Sequence, residues 1–326
     1  MTIGRVFEFP EEQRRQRRRA KQLAWLSIVL LTSAGVLLFL TLGQSEAMKT
    51  AWVSDVLSII PPIALLTATR FELRPPSKRF PFGYLRAISV AFLVTASVLS
   101  VIGLYLLFDA LTKLLKQDRP PIGTMVLFGH QFWAGWAMIA ALAYSLLAGL
   151  IVGRLKQPVA KKLHDKELQA ESRMNRDEWM SEGAAIVGIL LVGFGRWWGD
   201  AVAAAFIAIE IVKDGWYNVR QVIGDLMDES PTVMGSHELE DIPAKVKDAA
   251  EQLEWVEQAA VRLREQGHVL TGDVLVVPRD GSEMTAADLA ARTERAADDL
   301  SKVDWRLHGL VVMPVSHLEE TAPPRL

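Results

Sequence analysis

Asp55 stands in AWVSDVLSIIPPIALL, and Glu178 with Glu182 in NRDEWMSEGAAIVGILLVGF, stretches that otherwise read as membrane-spanning. A carboxylate near a bilayer centre costs about 2.5 to 3.5 kcal/mol on insertion scales, so such groups are kept mostly where they bind or move an ion. Glu178 and Glu182 lie one helical turn apart and share a face, with Asn175 and Ser181 nearby on the same side. Downstream of Asp55, Pro61 and Pro62 lack amide hydrogens, which deprives the carbonyls of Leu57 and Ser58 of their helical donors. Freed carbonyls that line a protein cavity are tolerated in membranes and make good oxygen ligands.

The same residues have plainer readings. Asn175 and Glu178 have the spacing of a capping box, so Glu178 and Asp177 would simply start a helix at the interface. Asp55 would then sit just below the opposite interface within reach of Lys49. Asp200 would cap the helix that it opens, Glu210 would pair with Lys213, and Met174 would pack.

These residues sit in a chain of 326 residues, 50% of them hydrophobic, with 10 Trp and a mean hydropathy of +0.19. That is richer in apolar side chains than a soluble protein of this size. The long apolar runs end near residue 213, and the remainder alternates charged and apolar residues like a soluble domain. A net charge of −2 and the lack of a Gly-rich phosphate loop argue against nucleic acid as a partner. With 0 Cys, disulfides and thiolate metal sites are excluded. Neither a Ser/His/Asp arrangement nor a His-rich metal motif supports an enzyme or a catalytic cofactor.

Six segments are long enough to cross a hydrocarbon core, at 22–43, 50–69, 86–111, 124–153, 178–195 and 197–213. Lys and Arg collect in the basic N-terminus (Arg14 to Lys21), in the loop with Arg70, Arg74, Lys78, Arg79 and Arg86, and in the loop from Arg154 to Arg176. Lys113, Lys116 and Arg119 are sparser and fall on the opposite side. The bias expects a multi-pass protein of an inner or plasma membrane with both termini cytoplasmic. The domains expected are a basic segment 1–21, a membrane domain 22–213, an amphipathic connector 214–231, a soluble domain 232–318 and a tail 319–326. Within 232–318, LEDIPAKVKDAAEQL and MTAADLAARTERAADDLSKV have helical periodicity, while WVEQAAVRLREQ, VLTGDVLVVP and WRLHGLVVMPV read as strands. The order αββαβ suggests a ferredoxin-like two-layer domain, and with the six helices gives an all-α membrane bundle joined to an α+β tail. His237, His268, His308 and His317 all lie in this tail.

Six helices with cytoplasmic ends and a small αββαβ tail resemble the cation diffusion facilitator family of metal ion/proton antiporters. RPPSKRFPFGYLRAIS is similar to that family's loop after helix two, GRWWGDAVAAAFIAIEIVKDG to its turn between helices five and six, and DLMDESP to the end of its membrane domain. The resemblance implies a transport site made by a residue pair on helix two and a pair on helix five. Here those positions are Ser54 and Ser58, and Met174 and Glu178. Only Glu178 keeps a carboxylate, and the neighbouring residues offer substitutes: a modest rotation of helix two turns Asp55 inward beside Ser54 and Ser58. The candidate metal ligands are therefore Asp55, Glu178, Glu182, Ser54 and Ser58. Oxygen ligands without imidazole suit Mn²⁺, Fe²⁺ or Mg²⁺ better than Zn²⁺. The expectation is a homodimeric exporter that exchanges a divalent cation for protons. The alternative is a transport-inactive relative acting as a membrane binding or partner subunit.

Overall fold

A computed structural model describes residues 9–72, 74, 77–117, 122–127, 130–234, 236, 238–267, 269–279 and 285–318. Arg119, His237, His268 and the tail 319–326 lie outside the described residues. The chain divides into two compact units, one of Glu12–Phe71 with Ala87–Ile223, the other containing Glu72–Arg86 and the chain from Gly224 onward.

The first unit is helical: α1 Glu11–Thr41, α2 Glu46–Leu57, α3 Ile60–Glu72, α4 Ala87–Leu115, α5 Ala134–Leu163, α6 Lys166–Gly193 and α7 Trp198–Leu226. Among the described residues, four stretches are long and apolar enough to cross a membrane: Glu11–Thr41, Glu46–Phe71, Ala87–Leu115 and Ala134–Leu163. The fifth and sixth expected spans lie inside α6 and α7, long helices that carry charged residues along their apolar stretches. Leu38, Met48, Leu99, Leu142, Ile189 and Ile207 form the centre of the apolar core.

Three expected boundaries are corrected. The fourth span begins at Ala134 instead of 124, because Thr124–Leu127 (β1) and His130–Trp133 (β2) pair as an antiparallel hairpin. β-branched and aromatic residues in the two strands (Thr124, Val126, Phe132 and Trp133) favour that pairing over a helical start. The fifth helix begins at Lys166 instead of 178, with Asp165 as its N-cap accepting from the Leu168 N–H at 2.7 Å. Glu178 is therefore well inside α6, and the capping-box reading of Asn175 and Glu178 is withdrawn. Finally, α7 runs unbroken to Leu226 through much of the stretch read as a connector.

The second expected span is broken. α2 ends at Leu57, Ser58 and Ile59 form a turn, and α3 resumes at Ile60 just before Pro61 and Pro62. At its other end α2 is fixed by a neighbour. Ser45 caps it by accepting from the Met48 N–H at 3.1 Å, and Asp200 of α7 accepts from the Ser45 hydroxyl at 2.5 Å and from the N–H groups of Glu46 (2.5 Å) and Ala47 (3.3 Å). Asp200 thus caps α2 from across the bundle, where a negative charge meets the positive end of the helix dipole. Its role as a cap holds, but for a different helix from the one it opens.

α5 and α6 join through a tight turn in which His164 takes a left-handed conformation (φ 49°). Ala141, Ser145, Gly149 and Gly153 recur every fourth residue on the buried side of α5. Small residues at that spacing let helix backbones approach closely. A Cβ on Gly153 would sit 2.8 Å from the Ser172 carbonyl of α6. Lys156 and Glu171 join the same two helices through a buried ion pair of 2.5 Å.

The second unit carries α8 Ile242–Glu251, β3 Val256–Gln266, β4 Val269–Pro278, α9 Ala286–Leu300 and β5 Val311–Pro314, in the order read from the sequence. β4 is central, antiparallel to β3 and parallel to β5. Val246, Val256, Leu270, Val274 and Leu300 form its core. Arg306 is buried and reaches Glu240 through its two terminal guanidinium nitrogens (3.1 and 2.8 Å). Burial works against that charge, but the Glu240 and Asp304 carboxylates hold its pKa above the ordinary value.

Asp200→Ala should strand the Ser45 hydroxyl and the two amides it serves, costing about 1 to 3 kcal/mol. A lowered midpoint in thermal unfolding of the detergent-solubilised protein would register this. Glu210→Ala, which removes only the exposed pair with Lys213 at 3.2 Å, should leave the midpoint almost unchanged.

Candidate functional site

The break after Leu57 places Asp55 two residues before a helix end and within the bundle. Asp55 is 1% exposed and accepts a hydrogen bond from the Ser145 hydroxyl of α5 at 2.5 Å. It does not reach toward Lys49, whose ammonium instead lies near Asp109 (3.4 Å) and Glu46 (3.8 Å). Glu182 of α6 faces Asp55, and Glu178, one turn earlier on the same helix, faces Ser58. The chain therefore brings Asp55, Glu178, Glu182 and Ser58 together from α2, its terminal turn and α6. Ser54 is half-buried one turn above Ser58, and its carbonyl accepts the Ser58 N–H at 2.9 Å.

Hydrogen bonding at these acids is incomplete. Neither oxygen of Glu178 has a partner, nor do Oε2 of Glu182 and Nδ2 of Asn175, although all three residues are buried. A buried carboxyl without partners is costly and is relieved by a proton or a cation. Among the described residues, no three His, Asp or Glu side chains are drawn close enough to hold one ion together. The acids are neighbours on facing helices that must converge to share an ion.

Glu178 owes its position to a glycine. A Cβ on Gly149 of α5 would collide with Oε2 of Glu178 and stand 2.9 Å from the Asn175 carbonyl. Lys156, also on α5, carries a buried positive charge, but its ammonium is bound to Glu171, almost two turns before Glu178. Glu167, one turn earlier still, lies 3.4 Å from the Ser89 hydroxyl.

Reading the sequence for acids missed Ser145 and Gly149, which respectively bond Asp55 and make room for Glu178. Their signal was the repeat of Ala, Ser and Gly at every fourth position of α5, a pattern visible in the chain but carrying no charge. The buried pair of Lys156 with Glu171 was also missed, since both residues fell in a stretch read as a basic loop.

Residues 22–227 match the family model described as the cation efflux transmembrane domain. The chain is 26% identical over 288 residues to the manganese efflux system protein MneS of Bacillus subtilis, covering 87% of this chain and 91% of that protein. It is 26% identical over 269 residues to the manganese efflux system protein MneP of the same organism, covering 80% and 84%. A shorter match, 24% over 174 residues, relates 53% of the chain to 51% of the zinc transporter ZitB of Escherichia coli.

The two glycines nearest the acids should respond oppositely to an added methyl group. Gly149→Ala forces Glu178 aside and should destabilise the protein by about 1 to 3 kcal/mol. Gly183→Ala meets nothing within 4 Å and should stabilise α6 by up to about 1 kcal/mol through helix propensity. Thermal unfolding of the two variants side by side checks the difference in sign.

Proposed function

The chain belongs to the cation efflux family, and on that premise we propose that it exports a divalent metal cation from the cytoplasm in exchange for protons. Asp55 and Glu178 ligate the ion, Glu182 ligates it or accepts a proton, and Ser54 and Ser58 lend neutral oxygens. The observation that carries this reading is a set of buried carboxyls with unpartnered oxygens beside a break in the second span. The relatives named above are described as manganese and zinc transporters, which supports a divalent cation as the cargo.

Exchange follows from the chemistry of the ligands. A carboxylate must lose its proton to bind metal, so cation and proton compete for the same oxygens and no separate relay is required. Both termini face the cytoplasm in this reading, in keeping with the basic N-terminus and loops. Two copies associate through their C-terminal sheet regions.

Transport into proteoliposomes tests the proposal with Mn²⁺, Fe²⁺, Zn²⁺ and Mg²⁺. Wild-type protein should move at least one of these ions against a proton flux. Asp55→Asn and Glu178→Gln should each abolish movement, while Glu210→Gln on the exposed pair should preserve it. Acidifying the side from which the ion enters should weaken its apparent affinity, because protons then occupy the carboxylates. A wild-type protein that moves none of the four ions would refute the exporter.

A further inference from the structure

A small cavity in the first unit, no larger than a single water molecule, is lined by Leu57, Pro61, Phe92, Thr95, Met174 and Asn218. Its neighbours along the chain tie it to the acids. Leu57 lies between Asp55 and the turn at Ser58, and Met174 precedes Glu178 by one turn of α6. Asn218 comes from α7, which has no part in the carboxylate set.

Asn218 is 2% exposed, and its side-chain nitrogen donates to Sδ of Met174 at 3.4 Å. A thioether accepts hydrogen bonds and cannot donate, so the amide nitrogen must face the sulfur. Oδ1 of Asn218 is left buried without a partner. Leu57 also lines the cavity, and its carbonyl lacks its ordinary helical donor because the residue four positions on is Pro61. Residues that carry an unpartnered amide oxygen, a thioether sulfur and a backbone carbonyl without its helical donor thus line one small, largely apolar cavity, and none of its lining residues is a carboxylate.

We propose that Asn218 Oδ1, together with Met174 Sδ and the Leu57 carbonyl, forms a neutral half of the cation site, so that α7 contributes a ligand that sets which divalent ions are accepted. The inference rests on Asp55, Glu178 and Glu182 being the charged half. A space this small admits an ion only after most of its water is shed. Mg²⁺ gives up water reluctantly and requires near-octahedral oxygen, whereas a thioether adds affinity for softer ions. The neutral half therefore favours transition-metal cations over Mg²⁺.

Isothermal titration of the full-length protein in detergent with Mn²⁺, Cd²⁺ and Mg²⁺ tests this. Wild type should bind Mn²⁺ and Cd²⁺ in preference to Mg²⁺. Asn218→Leu should weaken Mn²⁺ and Cd²⁺ by roughly tenfold or more, the loss typical of a disturbed metal shell. Asn218→Asp removes the amide that donates to sulfur but keeps an oxygen, and should retain binding. A packing role would make both variants equally defective, and that result overturns the assignment. Met174→Leu should weaken Cd²⁺ more than Mn²⁺. If Asn218→Leu binds like wild type while Asp55→Asn does not, the neutral half is wrong and the carboxylate site stands. If wild type binds none of the ions, both readings fall.

Discussion

The first unit is organised around carboxyl groups placed in an apolar bundle without enough partners. Asp55 receives a hydrogen bond from Ser145, but Glu178 receives none and Glu182 keeps one oxygen bare. Removing such groups from water without compensation is expensive, so neighbouring elements must hold them there by other means. The small-residue face of α5 does this by bringing α6 close, with Gly149 leaving the space that the Glu178 carboxylate fills. The apolar core formed by residues such as Leu142, Ile189 and Ile207 supplies the free energy that offsets the burial.

α2 is the second consequence of that constraint. It is a rod of 12 residues whose start is held by Asp200 of α7 and whose end is set by the turn before Pro61 and Pro62. Fixing both ends fixes the depth at which Asp55 meets α6. α7 also carries Asn218, about 27 Å further along the same helix at the usual rise per residue. One helix thus anchors the start of α2 and borders the cavity at its broken end.

Much of this was legible in the chain, but not uniformly. The C-terminal elements were read in the right order because strands and helices there alternate with clear periods, as in VLTGDVLVVP and DLAARTERAADDL. The acids were found because charge in an apolar run is conspicuous. The start of α6 was misjudged because hydropathy measures affinity for lipid, whereas KELQAESRMNRDEWMSEG meets protein along one face and buries Glu167, Glu171, Asn175 and Glu178. Ser145, Gly149 and Asn218 were missed for a related reason. Their contributions are a hydroxyl proton, an empty space and a neutral oxygen, and each acquires meaning only when a second helix lies against it.

Compensation separates the acids that build the bundle from those that remain reactive. Glu171 is matched by Lys156 at 2.5 Å, Glu46 and Asp109 by Lys113 at 2.6 and 2.8 Å, and Asp200 by a hydroxyl and two amides. Each of these charges is answered locally, across two helices or, for Asp109 and Lys113, within α4, and leaves little demand for a further ligand. Glu178 and Glu182 lie on the same helix as Glu171 and are also buried, yet among the described residues no side-chain cation bonds to them. Burial and charge alone do not distinguish the two groups, since both were conspicuous or concealed for reasons of composition. What distinguishes them is the unsatisfied oxygen, and it occurs beside the break in α2 and where Gly149 of α5 leaves room for a side chain.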